Sequence, residues 1–467
     1  MAARIELRRR PAEPMFLSLA VRLEARDPWC WLAREAATEE TRLAWHEPTA
    51  GLSFVAQGTA GAILLRGGGR IRDAAAWCSF IAEHHVWLGP GERPPQGEPL
   101  VLASLAFRPR GPGEDPGPWA AFADGLLWVP RVLVSARGGE TWATFHERLG
   151  AHEPARAAAQ RLLAGRQRLL PRGPGGGSDG SFDVTAATVA ERRDWERRSS
   201  RAIAALEGDG ALSKVVLARA AEHRAPPGHI FDPVATAEAL RARHGGCTVF
   251  AIERPGGPSF VGATPELLVR VRGAWAETRA LAGTTPRGAD ATADAALART
   301  LVAAAKDRRE HELVVSALEE ALGAHARGAV SVAGPRLRSL ADVHHLETAI
   351  SAELDRPGRL WDLLEALHPT PAVGGVPREA ALAWLAEHEG LDRGAYAGPI
   401  GWVDTEGAGV FHVALRSALL MGDRALAYAG AGLVPGSSPA GEWAETEHKL
   451  RAIRAALRVR AASGGAA

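Results

Sequence analysis

Small residues, acids and a lysine occur between positions 429 and 449 at spacings that suit catalysis. Ala429–Pro439 is rich in glycine, and it predicts a turn that leads directly into a helix carrying Glu442, Glu445 and Lys449. Backbone N–H groups of small residues at a helix start can hold an anion. Acids three residues apart on a helix point the same way and can bind a hard cation. The pattern predicts an enzyme that binds a small carboxylated substrate together with a metal ion.

A second group of acids lies on another predicted helix. Ala291–Ala324 has helical spacing, and Glu310 shares its apolar stripe, with Asp307 one turn before it. A carboxylate on an apolar face is costly to bury without a partner, which would be either a metal ion or an arginine. The alternative for Glu445 is an exposed ion pair with Lys449, worth about 0.3–0.5 kcal/mol. The two acid groups together favour a metal site.

Lys214 and Glu266 are candidates for proton transfer. Lys214 begins an apolar predicted strand. It either extends its ammonium to water, which the pattern alone favours, or is buried with a lowered pKa and acts as a general base. Glu266 follows a Gly-Ala-Thr-Pro turn and precedes an apolar strand. An apolar wall would raise its pKa and make it a proton donor, whereas an ordinary turn acid would only cap the local backbone.

Arginine, histidine and glycine residues near these groups are further candidates. Arg416 ends a predicted strand and could bind a carboxylate through two N–H groups, although such an arginine more commonly lies on the surface. His344 and His345 are adjacent and cannot point at one metal, so we interpret them as structural residues or substrate contacts. Gly430 and Gly432 match neither a P-loop nor a dinucleotide fingerprint. The anion they would hold is therefore more plausibly a carboxylate than a pyrophosphate.

The elements that must position these residues lie on both sides of a Gly/Pro-rich stretch. Residues 171–184 predict a linker or loop that separates residues 1–170 from residues 185–460. Strands are predicted at 60–65, 99–107, 126–134, 214–219, 248–253, 267–271, 398–403, 410–415 and 424–428, the last three as a closing meander. Helices are predicted at 189–207, 291–324 and 378–388. This mixed order favours an α+β fold with antiparallel sheets over strict βαβ alternation.

The composition excludes several classes of protein. Lys+Arg and Asp+Glu number 55 and 54, so no global field favours nucleic acid or an anionic membrane. The three cysteines are far apart and form neither zinc spacing nor a disulfide framework, which fits a reducing cytosol. The sequence shows no secretory signal and no apolar run of about 18 residues. We therefore expect a cytoplasmic protein without a transmembrane helix, and a monomer because no partner helix stands out.

Seven motifs resemble those of the chorismate-utilising enzymes, and they occur in the family's order across about residues 185–460. They are Lys214–Arg219, Gly262–Glu266, Arg279–Thr284, Lys306–His311, Val343–Thr348, His368–Gly375 and Ala429–Lys449. The region before the linker resembles the family's variable N-terminal half more weakly. The resemblance implies the family fold, which is a two-lobed α+β unit of stacked antiparallel sheets flanked by helices.

The resemblance also implies a Mg²⁺-dependent reaction on chorismate. The isochorismate and salicylate synthases of the family carry a lysine at the position of Lys214, whereas the ammonia-using synthases carry a glutamine. Ala282 stands where aminodeoxychorismate synthases typically have a nucleophilic lysine. The motifs look most like those of the isochorismate synthases. Lys214 would then deprotonate a water that attacks C2 of the ring, and Glu266 would protonate the departing C4 hydroxyl. The isochorismate formed would enter menaquinone or siderophore biosynthesis.

The family's metal and substrate roles carry over to particular residues of this sequence. Glu310 and Glu445 would hold Mg²⁺ on the ring carboxylate, and Asp307 and Glu442 would support them through water. The residues that the resemblance assigns to the substrate are Ala282, Gly283, Thr284, His345, Thr348, Ala372, Val373, Tyr396, Arg416, Gly430, Ala431, Gly432 and Lys449. Among these, the side-chain carboxylate of chorismate would be held by Arg416, Lys449 and the amides around the two glycines.

Three alternatives differ in what they do with chorismate. A salicylate synthase performs the same first step and then expels pyruvate. The sequence of Glu442–Thr446 looks more like that of the synthases that stop at isochorismate. An ammonia-using synthase with a glutaminase partner conflicts with Lys214 and Ala282. A non-catalytic chorismate-binding protein predicts that an acid, a base or a metal ligand is missing, and none is.

Overall fold

The structure is a computed structural model that describes residues 13–32, 40–88, 94, 100–111, 113–167, 188–208 and 210–462. The predicted linker at 171–184 lies outside these residues. The helices within them are α1 (Arg70–Glu83), α2 (Ala155–Gln167), α3 (Val189–Leu206), α4 (Pro233–Arg243), α5 (Ala291–Ala303), α6 (Ala305–Gly323), α7 (Leu360–Leu367), α8 (Arg378–His388) and α9 (Pro439–Ala456). Three short 3-10 helices are Pro28–Trp31, Pro48–Ala50 and Gly117–Phe122.

The strands of the described residues are mostly short and apolar. In chain order they are β1 (Met15–Leu23), β2 (Arg42–Glu47), β3 (Leu52–Gln57), β4 (Gly61–Leu65), β5 (His85–Trp87), β6 (Val101–Leu105), β7 (Gly125–Val129), β8 (Val132–Arg137), β9 (Glu140–Leu149), β10 (Lys214–Arg224), β11 (His229–Phe231), β12 (Thr248–Glu253), β13 (Ser259–Thr264), β14 (Leu267–Arg272), β15 (Trp275–Pro286), β16 (Ser331–Val332), β17 (Arg336–Ser339), β18 (Val343–Glu353), β19 (Gly375–Val376), β20 (Pro399–Val403), β21 (Gly409–Val413), β22 (Ser417–Met421), β23 (Arg424–Leu433) and β24 (Val459–Ala461).

Two large sheets contain nearly all of these strands. The order in the 12-stranded sheet is β19-β10-β23-β22-β13-β12-β2-β3-β8-β9-β1-β5, and its only parallel pair among the described strands is β1 with β5. The order in the 10-stranded sheet is β16-β18-β15-β14-β21-β20-β6-β7-β4, with β17 also paired to β18. The predicted α+β class with antiparallel sheets is therefore confirmed.

Both sheets combine strands from the two sides of the predicted linker. In the 12-stranded sheet β2 pairs with β12, and in the 10-stranded sheet β6 pairs with β20. One buried cluster includes Phe54 and Phe260 from the first sheet and Leu102 and Phe411 from the second. The N-terminal residues therefore share sheets and a core with the region that carries the motifs.

Several predicted elements are divided in the structure. The predicted helix 291–324 is interrupted at Ala304, which has extended backbone, and forms α5 and α6. The predicted strand 126–134 is two strands, because Pro130 separates β7 from β8 and these belong to different sheets. The predicted closing meander is wrong: β20 and β21 lie in one sheet, whereas β22 and β23 lie in the other.

The predicted glycine-rich turn at 429–439 is also wrong in its first half. Strand β23 continues through Leu433, and only residues 434–438 connect it to α9. Ser438 caps that helix by accepting a hydrogen bond from the Gly441 amide, and Pro439 occupies the first turn, where its missing N–H costs nothing. No helix among the described residues has the length and hydropathy needed to cross a bilayer.

Candidate active site

A cavity lies where the ends of β10, β15 and β23 meet the helices α6 and α9. Most of the residues predicted for the site line it. These are Glu266, Ala282, Gly283, Thr284, Glu310, His345, Ala372, Val373, Tyr396, Arg416, Gly430, Gly432, Glu445 and Lys449. They come from both sheets and from two helices, so only the folded chain brings them together.

Lys214 lies immediately behind this lining and is 0% exposed. Its Nζ donates a hydrogen bond to Glu310 Oε1 at 2.9 Å, and Glu310 itself faces the cavity. The sequence pattern favoured an ammonium extended to water, and that interpretation is wrong because the Lys214 side chain is enclosed in the fold and pairs with Glu310 on α6. A salt bridge of Glu310, the alternative to a metal site, is present, but its partner is a lysine and not an arginine.

Gly432 makes room for this ion pair. A Cβ at this position would lie 2.9 Å from Glu310 Oε1 and 3.0 Å from Lys214 Cε. Gly432 pairs with Val216 on the neighbouring strand β10, so it is not a turn residue. A glycine is needed at position 432 because the two charged side chains occupy the space that a larger side chain would fill.

We expect Gly432→Ala to lower kcat about a hundredfold, because an added methyl group must displace Glu310 or Lys214 and small displacements of reacting groups have effects of this size. Steady-state kinetics with chorismate would measure the change. Gly328→Ala is a matched control, since nothing lies within 4 Å of a Cβ there. A Gly432→Ala enzyme with the wild-type kcat would show that the glycine is not needed for this geometry.

Glu266 lies between β13 and β14 and is 4% exposed. Its carboxyl accepts a hydrogen bond from Thr370 Oγ1 at 3.4 Å, and its backbone C=O accepts one from the Val413 amide. Burial raises the pKa of Glu266 to about 7, although Lys214 and Lys449 act in the opposite direction. A carboxyl with this pKa carries a proton in a large fraction of molecules at neutral pH, as a general acid must.

Glu445 and Lys449 form the predicted i,i+4 ion pair on α9, with 2.7 Å between Oε1 and Nζ. The pair is not on the outer surface, because both side chains line the cavity. Lys449 Nζ also donates to Gly430 O at 2.9 Å. Burial lowers the pKa of Lys449, but the carboxylates Glu445, Glu310 and Glu442 outweigh it and raise that pKa above its ordinary value. Lys449 therefore provides a permanent positive charge in the cavity.

Arg416 and His345 form a second polar wall. Arg416 is buried, so it does not lie on the surface as arginines at strand ends more commonly do. Its backbone is left-handed (φ 48°). Its Nη2 lies 3.0 Å from His345 Nε2. Burial, helped by Arg416, lowers the pKa of His345 well below its usual range, so the ring is neutral. Because arginine can only donate, Nε2 accepts this bond and Nδ1 carries the proton, which faces Gly283 O at 3.2 Å.

His344 points to the opposite side of β18. Its ring contacts Asp294 and Ser339. His344 and His345 therefore point away from each other, as predicted for adjacent residues that cannot bind one metal ion.

Besides Lys214, four predicted residues do not line the cavity. Thr348 is hydrogen-bonded to His311, and Ala431 packs in the core. Asp307 lies behind the wall, with its Cβ 3.2 Å from where a Cβ of Gly283 would be, and Glu442 is buried in the first turn of α9. Among the described side chains, no three His, Cys, Asp or Glu residues are close enough together to hold a metal ion.

Val216, Arg393 and Tyr428 also line the cavity and were not predicted from the sequence. Tyr428 stacks on Tyr396 with ring centroids 5.1 Å apart. Val216 and Tyr428 resemble ordinary core residues in the sequence, so no signal distinguished them. Arg393 follows Glu389 by four residues, but the helix ends at His388 and Gly390 has a left-handed backbone (φ 63°), so this spacing was not a helical signal either.

The fold and this polar cavity define an α+β enzyme with a site for a small anionic substrate. The chain belongs to the chorismate binding enzyme family, which it matches over residues 2–458. It is 41% identical over 454 residues to the salicylate biosynthesis isochorismate synthase of Pseudomonas aeruginosa, covering 95% of this chain and 90% of that protein. It is 32% identical over 359 residues to the isochorismate synthase MenF of Bacillus subtilis, with 77% and 74% covered.

Solved structures of two enzymes have the same fold as this chain. The menaquinone-specific isochorismate synthase MenF of Escherichia coli superposes with a TM-score of 0.77 at 25% identity, covering 97% of both chains. The anthranilate synthase component I of Streptococcus pneumoniae superposes with a TM-score of 0.65 at 18% identity, covering 87% of this chain and 92% of that one. The second likeness concerns the fold alone.

Proposed function

We propose that this protein is an isochorismate synthase that isomerises chorismate by adding water at C2 and releasing the C4 hydroxyl. The observation that carries the proposal is the pairing of two proton-transfer groups around one cavity. Glu266 faces the cavity with a pKa near neutrality, and the buried Lys214 reaches it through the lining residue Glu310. The relatives named above support this choice within the family.

The charges around the cavity suit a substrate with two carboxylates. Arg416 and Lys449 both line it and can hold anionic oxygens by charge-assisted hydrogen bonds. Ala372 and Val373 provide an apolar surface for the ring. The neutral His345 ring accepts a hydrogen bond from Arg416 and so orients its guanidinium.

A magnesium ion fits the acids of this cavity. Mg²⁺ usually takes one or two protein carboxylates, and substrate oxygens and waters complete its six ligands. Glu310 and Glu445 both face the cavity and would be those carboxylates, so a preformed cluster of three acids is not required. Asp307 and Glu442 lie farther back and would act through water. When bound, the ion would neutralise a substrate carboxylate and fix the ring's orientation.

Lys214 and Glu266 perform complementary proton transfers. Lys214 acts as the general base and takes a proton from a water whose oxygen forms the new bond to C2. The ring double bonds shift, the C4–O bond breaks, and Glu266 donates its proton so that the hydroxyl leaves as water. One water enters and one leaves, so substrate and product are isomers. Removing Lys214 or Glu266 should therefore slow the reaction strongly.

Product identification tests the proposal. Purified protein is incubated with chorismate and Mg²⁺, and the products are separated by chromatography and identified by mass and absorbance. We expect isochorismate, and much less of it from Glu310→Gln, which keeps the side-chain shape but removes a negative charge. An aromatic amine formed with an ammonium salt, or unchanged chorismate, would contradict the proposal.

We also place the product in salicylate biosynthesis. The support is the Pseudomonas aeruginosa relative, which is named for that pathway and matches 95% of this chain. Salicylate should then appear in the assay only after a separate pyruvate-eliminating lyase is added. Salicylate from the purified protein alone would instead identify a salicylate synthase. A monomer in the cytoplasm stays a prediction, which light scattering and cell fractionation would test.

A further inference from the structure

A buried ion pair beside the cavity has no role in the reaction proposed above. Arg393 is 3% exposed, and its partner Glu389 at the end of α8 is equally buried. Arg393 Nε donates to Glu389 Oε2 at 2.8 Å, and Nη2 donates to Oε1 at 2.6 Å. This bidentate geometry fixes the plane of the guanidinium.

The remaining donors of the guanidinium bind backbone on two sides of the cavity. Nη1 donates to Val373 O at 2.8 Å, and Nη2 donates to Val216 O at 2.6 Å. Together with the two bonds to Glu389, they use nearly all of the five N–H groups that an arginine has. Arg393 lines the cavity but has little left to offer a substrate, so it is not a carboxylate clamp like Arg416.

The two carbonyls belong to the segments that carry the base and support the acid. Val216 lies two residues after Lys214 on β10 and therefore on the same face of the strand. The Val373 amide donates to Thr370 O at 3.1 Å, in a tight turn, and the Thr370 hydroxyl donates to Glu266. Arg393 thus joins the strand of Lys214 to the turn that contacts Glu266.

Two further contacts fix the position of the ion pair. The amide of Ala218 on β10 donates to Glu389 Oε1 at 2.8 Å. The guanidinium carbon of Arg393 lies 4.1 Å from the centroid of the Phe107 ring, a residue of the N-terminal region. The Phe107 amide also donates to Gly394 O at 2.8 Å. The N-terminal region therefore supports one wall of the cavity through Arg393.

We propose that Arg393, held by Glu389, is a positioning residue that sets the separation of Lys214 and Glu266 across the cavity. The proposal rests on the proposed function for its effect on turnover, but its structural part does not. It predicts that loss of the guanidinium fork changes the spacing between the Val216 and Val373 segments. It also predicts that kcat falls while the affinity for chorismate stays the same, because Arg416 and Lys449 are unchanged.

Arg393→Lys is the first test, because it keeps the charge beside Glu389 but lacks the planar fork. We expect kcat to fall about a hundredfold and KM for chorismate to stay within about threefold, since misplacement by about an ångström has effects of this size. Calorimetry should give an unchanged stoichiometry of chorismate binding, which separates misplacement from a partly unfolded sample. The pH profile should change as well, because the Thr370 contact with Glu266 is altered.

Arg393→Met combined with Glu389→Leu is the second variant. It removes both charges and so leaves no unpaired buried ion, which keeps the test usable if Arg393→Lys does not fold. We expect this double variant to fold, and we expect its kcat to fall as much as that of Arg393→Lys. Arg198→Lys is the matched control, because Arg198 donates to the backbone oxygens of Glu389 and Ala218 without touching Val373. Its kcat should stay within about twofold of wild type.

Crystal structures of the variants separate this proposal from the proposed function. A displaced 370–374 turn together with a lowered kcat supports the positioning role. An undisplaced turn, or a displaced turn with wild-type kcat, overturns it. If the wild-type protein does not convert chorismate, the proposed function fails, and the position of the turn in the variants still decides whether Arg393 sets the spacing.

Discussion

Lys214→Met is expected to lower kcat for isochorismate formation by about 10²–10⁴-fold, the range found when a general base is removed. Methionine has a similar length, so the packing around Gly432 is retained while the amine is lost. Chorismate affinity should change little, because Arg416 and Lys449 supply the carboxylate contacts. Single-turnover kinetics with quantified product, beside a binding titration, would measure both effects.

The control for Lys214→Met lies on the same strand. Arg224 ends β10 with its side chain 62% exposed, so Arg224→Met removes a cation without affecting the cavity. Its kcat should equal that of the wild type. Turnover by Lys214→Met at more than about a tenth of the wild-type rate would mean that another group activates the water.

Glu266→Gln is expected to cause a similar loss of activity and a gain of stability. Glutamine cannot donate the proton that the leaving hydroxyl needs, so kcat should fall by about 10²–10⁴-fold. In the wild type, kcat/KM should decline above about pH 7, where the Glu266 carboxyl loses its proton. Product assays across a pH series would show both effects. A wild-type profile that is flat from pH 6 to about pH 9 would contradict the role of Glu266 as the acid.

The gain of stability follows from the raised pKa of Glu266. The carboxyl keeps its proton in the folded state up to about pH 7, whereas the unfolded chain releases it near 4.5. The folded state binds the extra proton between these values, so wild-type stability falls as the pH rises through that window. A pKa of about 7 in the folded state against 4.5 in the unfolded chain corresponds to roughly 3 kcal/mol.

Urea unfolding would measure this difference. At about pH 8, Glu266→Gln should exceed the wild type in unfolding free energy by roughly 3 kcal/mol more than it does at about pH 4. Thr370→Val is a useful comparison, because it removes a hydrogen bond to the carboxyl but leaves it able to ionise. An equal effect of Glu266→Gln at both pH values would show that burial does not raise the pKa of this carboxyl.

Much of the local structure could be predicted from the sequence. The strand Thr248–Glu253 and the helix Arg378–His388 have the predicted bounds, because apolar runs and helical spacing are local signals. The division of 126–134 and of 398–428 between two sheets was not predicted. Strand partners are chosen by contacts between distant residues: β2 pairs with β12 more than two hundred positions later. Local periodicity contains no information on such pairings.

The sequence by itself determined which residue types were available for chemistry. It supplied an amine, acids on two helices, an arginine and small residues in an order that resembles one enzyme family. Only the tertiary structure decided what each of them does. Glu310 on α6 meets Lys214 on β10 in space that Gly432 on β23 leaves open. Whether a lysine on a strand extends to water or is buried depends on what packs over its face of the sheet, and here Glu310, 96 positions later in the chain, provides that contact.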